Sequence, residues 1–111
     1  MNYEKPLTNN IKEKANTLYL FLKGIGRYAT KEEIGVCLGV KNERSVRDII
    51  SLLATKKPII SNSSGKGYKL AQTKEDLEEV EHTWAELSSR IEEIEKRIKP
   101  LIKFIDKQKD I

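Results

Sequence analysis

From Leu77 to Ile105 the apolar residues recur at alternating intervals of three and four: Leu77, Val80, Trp84, Leu87, Ile91, Ile94, Ile98, Leu101 and Ile105. A helix turns once per 3.6 residues, so this spacing draws all nine into one stripe, the seam of a coiled coil with Leu77, Trp84, Ile91, Ile98 and Ile105 at a and the other four at d. The stretch from Lys74 to Lys99 alone, about 26 residues, would span roughly 39 Å at 1.5 Å per residue, longer than a domain built from the preceding 70 or so residues can cover. The seam therefore predicts a second copy of the chain as partner, a homodimer; the alternative is that the helix folds back across the first helix of its own chain. Isoleucine at a with leucine at d favours two strands, and Ile94 at d leaves a higher oligomer open. Arg90 at g would face Glu95 at e of a parallel partner, which favours parallel pairing. Trp84 is bulky for an a position, and packing where the helix leaves the preceding domain is the other place for it. Pro100 removes a backbone donor, at about 3 kcal/mol in a helix interior, so a kink or restart is expected there, with Leu101, Ile102, Phe104 and Ile105 as a short apolar cap.

Upstream, Ile11, Ala15, Leu18 and Leu22 recur at helical spacing, with Asn10 and Glu13 as a capping-box start and Gly24 and Gly26 as a stop. Arg27-Tyr28-Ala29 is a brief extended piece. Thr30-Lys31-Glu32-Glu33 is a second capping box, opening a helix that Gly39 ends in a left-handed turn. After Val40 and Lys41, Asn42 caps a third helix whose apolar stripe is Val46, Ile49, Ile50 and Leu53. Two short helices joined by a tight turn make a helix-turn-helix. Pro58 stops the third helix, and Ile59-Ile60-Ser61 and Tyr68-Lys69-Leu70 flank the glycine-serine turn of a hairpin, or wing. Thr73 caps the start of the long helix. The fold class expected is α+β, mainly helical with a small β-hairpin wing: a winged helix-turn-helix domain over residues 1–72 and a coiled-coil helix over 73–111.

Charge divides at the same place. Residues 1–73 carry 13 Lys+Arg against 6 Asp+Glu, while residues 74–111 carry 8 against 11. The basic part is the candidate nucleic-acid binder, because exposed cations neutralise phosphates and release counterions. Within the tail, Lys74 to Glu95 holds 2 basic and 9 acidic residues and Lys96 to Ile111 holds 6 and 2, so the sign changes along the helix. With Cys37 as the one cysteine and His82 as the one histidine, neither an internal disulfide nor a zinc cluster can be built, and neither metal nor cofactor is expected. No signal core and no run of about 18 apolar residues is present, so a cytoplasmic, nucleoid-associated protein without a membrane segment is expected.

In a helix-turn-helix the last helix reads the major groove. Its outward residues are Glu43, Arg44, Ser45, Arg47 and Asp48: arginine bonds guanine bidentately, serine donates to a base or phosphate, and the carboxylates accept from cytosine or orient an arginine. The competing reading is a solvated face in which Arg44 pairs with Asp48 four residues on. Backbone contacts are assigned to Lys41, Asn42 and Ser51, and wing contacts to Lys56, Lys57, Ser63, Ser64 and Lys66.

Glu33-Ile34-Gly35 before Leu38-Gly39-Val40, then Asn42-Glu43-Arg44-Ser45-Val46-Arg47, then Pro58-Ile59-Ile60-Ser61 and Gly65-Lys66-Gly67-Tyr68-Lys69-Leu70 together resemble the winged-helix domains of bacterial biotin-repressor-type and DeoR-type regulators over about 40 residues. The resemblance implies duplex DNA as ligand and transcription regulation as function. Two residues depart from the pattern: Ile49 stands where such repressors usually place aspartate, and Gly35 where they place alanine. The resemblance ends at the wing, and a short winged helix with a helical tail is also similar to small phage-encoded proteins.

Catalysis is not expected: the histidine lies in an acidic helix, Cys37 sits on the apolar side of its helix, and Gly65-Lys66-Gly67 lacks the strand-loop-helix context of a phosphate loop. The sequence thus points to a dimeric, sequence-preferring binder of double-stranded DNA with half-sites about one helical turn, or a multiple, apart. The alternative is a phage or host-takeover factor, or a replication-associated one, that keeps the winged helix as a scaffold and offers its acidic stretch Glu75 to Glu95 to a protein partner.

Overall fold

The computed structural model describes residues 9–61 and 67–109. Ser63, Ser64 and Lys66 of the wing lie outside the described residues. The chain forms α1 (Asn9–Ile25), α2 (Lys31–Leu38), α3 (Glu43–Ala54), β1 (Ile59–Ser61), β2 (Tyr68–Leu70), a 3-10 turn (Lys74–Asp76) and α4 (Leu77–Lys109). This is the predicted α+β class, a mainly helical chain with a two-stranded hairpin and a long C-terminal helix. No helix among the described residues is long and apolar enough to cross a membrane.

The core is the sum of the apolar stripes. Ala15, Leu18 and Leu22 of α1 meet Ile34 and Leu38 of α2 and Val46, Ile49, Ile50 and Leu53 of α3, with Ala29 and Leu70 closing the side next to the hairpin. Ile49 is buried among these residues, which accounts for an apolar residue at a position where the resembling repressors carry aspartate. Helix α1 begins at Asn9, so Asn10 lies inside it rather than capping it, and the helix runs through Gly24 to end where Gly26 takes a φ of 59°. Helix α3 stops at Ala54, before Pro58, in a turn where the Lys56 and Lys57 amides both bond back to the Leu53 carbonyl at 2.9 Å.

The turn between α2 and α3 is where local chemistry sets the geometry most tightly. Thr30 caps α2: its hydroxyl accepts from the Glu33 amide at 3.1 Å while the Glu33 carboxylate accepts from the Thr30 amide at 3.3 Å. That carboxylate also holds the Arg27 guanidinium at 2.8 Å, and the hydrogen bond from Arg27, with those from Thr30, keeps Glu33 below the usual carboxylate range. At the other end Gly39 is left-handed, Val40 donates to the Gly35 carbonyl at 2.9 Å, and Gly39 donates to Val36 at 3.2 Å, the paired bonds of a Schellman turn. Lys14 of α1 adds its ammonium to the free Leu38 carbonyl at 2.9 Å. Gly35 has a steric reason not to be alanine: a Cβ there would stand 2.9 Å from the Val40 carbonyl oxygen, an atom fixed by this turn. Gly35→Ala gains about 1 kcal/mol of helix propensity but forces overpacking of about 1–3 kcal/mol, so a net loss of about 1 kcal/mol is expected in urea unfolding.

The hairpin pairs Ile59 with Leu70, Ile60 with Lys69 and Ser61 with Tyr68, antiparallel. Ala29 adds a one-residue third edge, exchanging both backbone bonds with Tyr68 at 2.8 Å. Gly67 is required beside it, since with a φ of 128° any Cβ would overlap the Ala29 carbonyl. The short extended piece predicted at Arg27-Tyr28-Ala29 is thus a single bridge.

Asp76 is the one charged residue that the described core encloses. Its carboxylate accepts from the Gln72 amide at 2.8 Å, from the Thr73 amide at 3.3 Å and from the Lys69 ammonium at 2.6 Å, tying strand β2 to the first turn of the long helix. The Gln72 amide and then Lys69 hold Asp76 below the usual carboxylate range, and the hydrogen bond to Asp76 raises Lys69. A carboxylate depressed in the folded state contributes stability that is complete above its unfolded pKa, about 3.9, and lost as pH falls through its folded value. Asp76→Asn should therefore lower stability by about 2 kcal/mol at neutral pH. The difference in Tm between wild type and variant should begin to shrink below about pH 4 and close once pH has fallen through the lowered folded-state value, and a gap that does not shrink over that range would show that the carboxylate's charge is not the cause.

Helix α4 is continuous through Pro100, so of the two outcomes expected there, a kink or a restart, the restart does not form. The proline leaves the Lys96 carbonyl without its helical donor, but Lys96 and its neighbours are exposed, so water meets that carbonyl and the helix continues. At 33 residues and about 1.5 Å each the helix is about 50 Å long, close to the 60 Å extent of the whole molecule.

Candidate nucleic-acid interface

Helix α3 lies with Val46, Ile49, Ile50 and Leu53 against the core, so the opposite direction is fixed by 100° steps along the helix. Arg44, Asp48 and Ser51 lie on that outward line, and Glu43 and Arg47 lie on the flank toward α2; all five are exposed. Asn42 uses its side-chain oxygen to cap the helix, accepting from the Arg44 amide at 2.9 Å, which leaves its amide nitrogen to donate elsewhere. Lys41, just before it, is exposed. Arg44 makes no ion pair among the described residues, and the anticipated Arg44–Asp48 pairing is not what the helix forms. Instead Glu43 sits between two cations, 3.4 Å from Lys31 of α2 and 3.9 Å from Arg47. Glu43 and Arg47 are largely exposed and Lys31 is half-buried, so the contacts orient side chains more than they stabilise the fold.

The structure separates the remaining predicted residues into groups. Ser45 is half-buried, beside Asn10, Ile11 and Lys14 of α1 in a shallow cleft next to α3, so it faces the α1 side rather than the outward line. Lys56 and Lys57 lie at the opposite end of α3. There the Lys57 ammonium stands 4.8 Å from the centre of the Tyr19 ring, with Lys23 at 5.8 Å from the same ring. Lys57 thus lies over a ring of α1.

Two functional candidates were not anticipated. Lys31, four positions before Gly35, joins the N-terminal end of α3 through Glu43. Lys12 lies in the same groove as Lys56 and Lys57, making a second basic cluster around Tyr19. The first depends on the angle between two helices, which spacing along one helix does not give. The second had a local signal, the Tyr19–Lys23 interval of four on the solvent side of α1.

On α4 the predicted seam is bare. Trp84, Leu87, Ile91, Ile94, Ile98, Leu101 and Ile105 are each between 41% and 70% exposed, and Leu77 is 56% exposed. Only Val80 is half-buried, in the first turns of the helix, where α4 packs against β1.

No protein-family model, curated protein or solved structure matches this chain.

Proposed function

We propose that this protein is a sequence-preferring binder of double-stranded DNA, a dimeric transcription regulator rather than an enzyme, with α3 as the reading helix and α4 as the dimerisation element. The observation that carries the proposal is the outward face of α3. An arginine without an ion-pair partner among the described residues, a second arginine held by a carboxylate, and a serine and an aspartate are displayed on a helix that four buried side chains seat firmly. A rigid helix with short polar groups and free guanidinium is what base-edge recognition in the major groove requires. Lys31 and Lys41 at the N-terminal end of α3 supply phosphate contacts that fix its register, and the Lys12, Lys56 and Lys57 cluster offers a second backbone contact at the other end. The exposed seam of α4 supports the pairing of two such units, and an inverted repeat is the sequence such a pair reads.

The test is selection of a randomised duplex pool at moderate salt, with sequencing of what is retained. An enriched inverted repeat supports the proposal. Equal, salt-sensitive retention of every duplex, unchanged by replacing Arg44 and Arg47 with alanine, overturns the regulator reading.

A further inference from the structure

We propose that the α4 helices of two chains pair antiparallel, carrying the two winged domains at opposite ends of the pair. This deepens the dimer reading and rests on it, and it reverses the parallel preference that the single Arg90–Glu95 contact suggested. Two independent observations carry it.

The first is charge. An antiparallel pairing in which each a residue meets a d residue of its partner is best filled when Trp84 faces Leu101, Leu87 faces Ile98 and Ile91 faces Ile94 of the second copy, with Val80 facing Ile105 at each end. Every exposed seam residue from Trp84 to Ile105 is then covered. In that register residues 76–92 lie along residues 93–109 of the second copy. The first segment has one Arg against six Asp+Glu, five of them besides the buried, Lys69-paired Asp76, and the second has six Lys+Arg against three Asp+Glu. Antiparallel pairing sets the acidic half on the basic half at both ends, while parallel pairing sets like on like along the whole length. Because these residues flank an exposed helix, repulsion would be screened by salt but not removed within the first few ångströms.

The second is volume. Parallel pairing stacks identical residues, so two Trp84 indoles would share one layer of a two-stranded seam whose a positions otherwise hold branched aliphatic residues. In the antiparallel register each indole meets a leucine, and the large layers are distributed to the two ends. Trp84 is 70% exposed in the protomer, so it is not occupied by packing at the exit from the wing, the other place foreseen for it.

The arrangement separates the bases of the two domains: from Leu77 of one chain to Leu77 of the other the offset is about 31 residues of rise, or about 47 Å. Spin labels on Gln108→Cys, in the full chain with Cys37→Ser, read the orientation directly. Antiparallel helices put the two labels about 47 Å apart along the axis, whereas parallel ones put them within about 20 Å, the interaxial distance plus the reach of the labels. A long distance supports the proposal. A short one overturns the orientation and leaves the dimer reading standing. A monomeric mass by light scattering with no dipolar signal overturns both, while DNA selection by the same preparation reports separately on the reading helix. As a check on cause, Lys96→Glu with Lys99→Glu and Lys103→Glu should weaken self-association at least tenfold at low salt. An unchanged association would remove charge as the determinant.

Discussion

Replacing Ile91 and Ile94 together with glutamate is expected to abolish self-association while leaving the winged domain folded. The two residues form the central layers of the proposed seam and are 57% and 55% exposed in the protomer, so the change touches no core contact. Glutamate is as good a helix former as isoleucine or better, which keeps α4 helical. In the pair, four apolar side chains lose burial worth about 1.5–3 kcal/mol each, and four carboxylates meet at the centre. Even the low end of that sum exceeds about 4 kcal/mol, a shift of about 1,000-fold in the dissociation constant. Sedimentation equilibrium checks it, alongside a thermal melt of the same variant. A dimer that survives the double change would move the interface off α4, and a lost melt would mean that the helix supports its own domain.

Arg44→Ala is expected to lower affinity for the selected duplex by about 1–3 kcal/mol, about 5- to 150-fold, and to relax preference at one base pair of each half-site. Arg44 is exposed and seats nothing, so its loss leaves stability within about 0.5 kcal/mol. Lys41→Ala provides the contrast: a phosphate contact weakens all sequences alike and lowers the salt slope by about 1. A titration of both variants on selected and scrambled duplexes separates the two roles. If Arg44→Ala weakens every duplex equally, the arginine is a positioning contact and base readout lies elsewhere on α3.

Much of what the sequence carried locally is found in the structure. Thr30 and Glu33, Gly39, Asn42 and the Val46-Ile49-Ile50-Leu53 stripe are interactions among near neighbours, and each is found as read. The Asn10 cap and the Gly24 stop are local readings that fail, both residues lying inside α1; the other departures are decided by distant contacts. Ser45 is half-buried because α1 lies beside it, and Lys57 lies over the Tyr19 ring of α1. Pro100 was legible as a lost hydrogen bond, but its cost depends on whether water reaches the orphaned carbonyl, a property of the assembled helix. Asp76 was read only as part of an acidic first turn following Thr73. Its enclosure follows from Lys69, which the strand pairing delivers from seven residues away.

That enclosure has a mechanical meaning. Strand β2 is clamped on one side to Ala29, next to the cap of α2, and on the other side through Lys69 to Asp76 at the root of α4. From Trp84 onward the seam residues are exposed in the protomer, and a tilt of about 5° at the root of this lever moves a tip some 50 Å away by about 4 Å. The aim of that lever is therefore set at one carboxylate, and a displacement of the three-residue strand β2 is passed both to the segment that caps α2 and to the far tip.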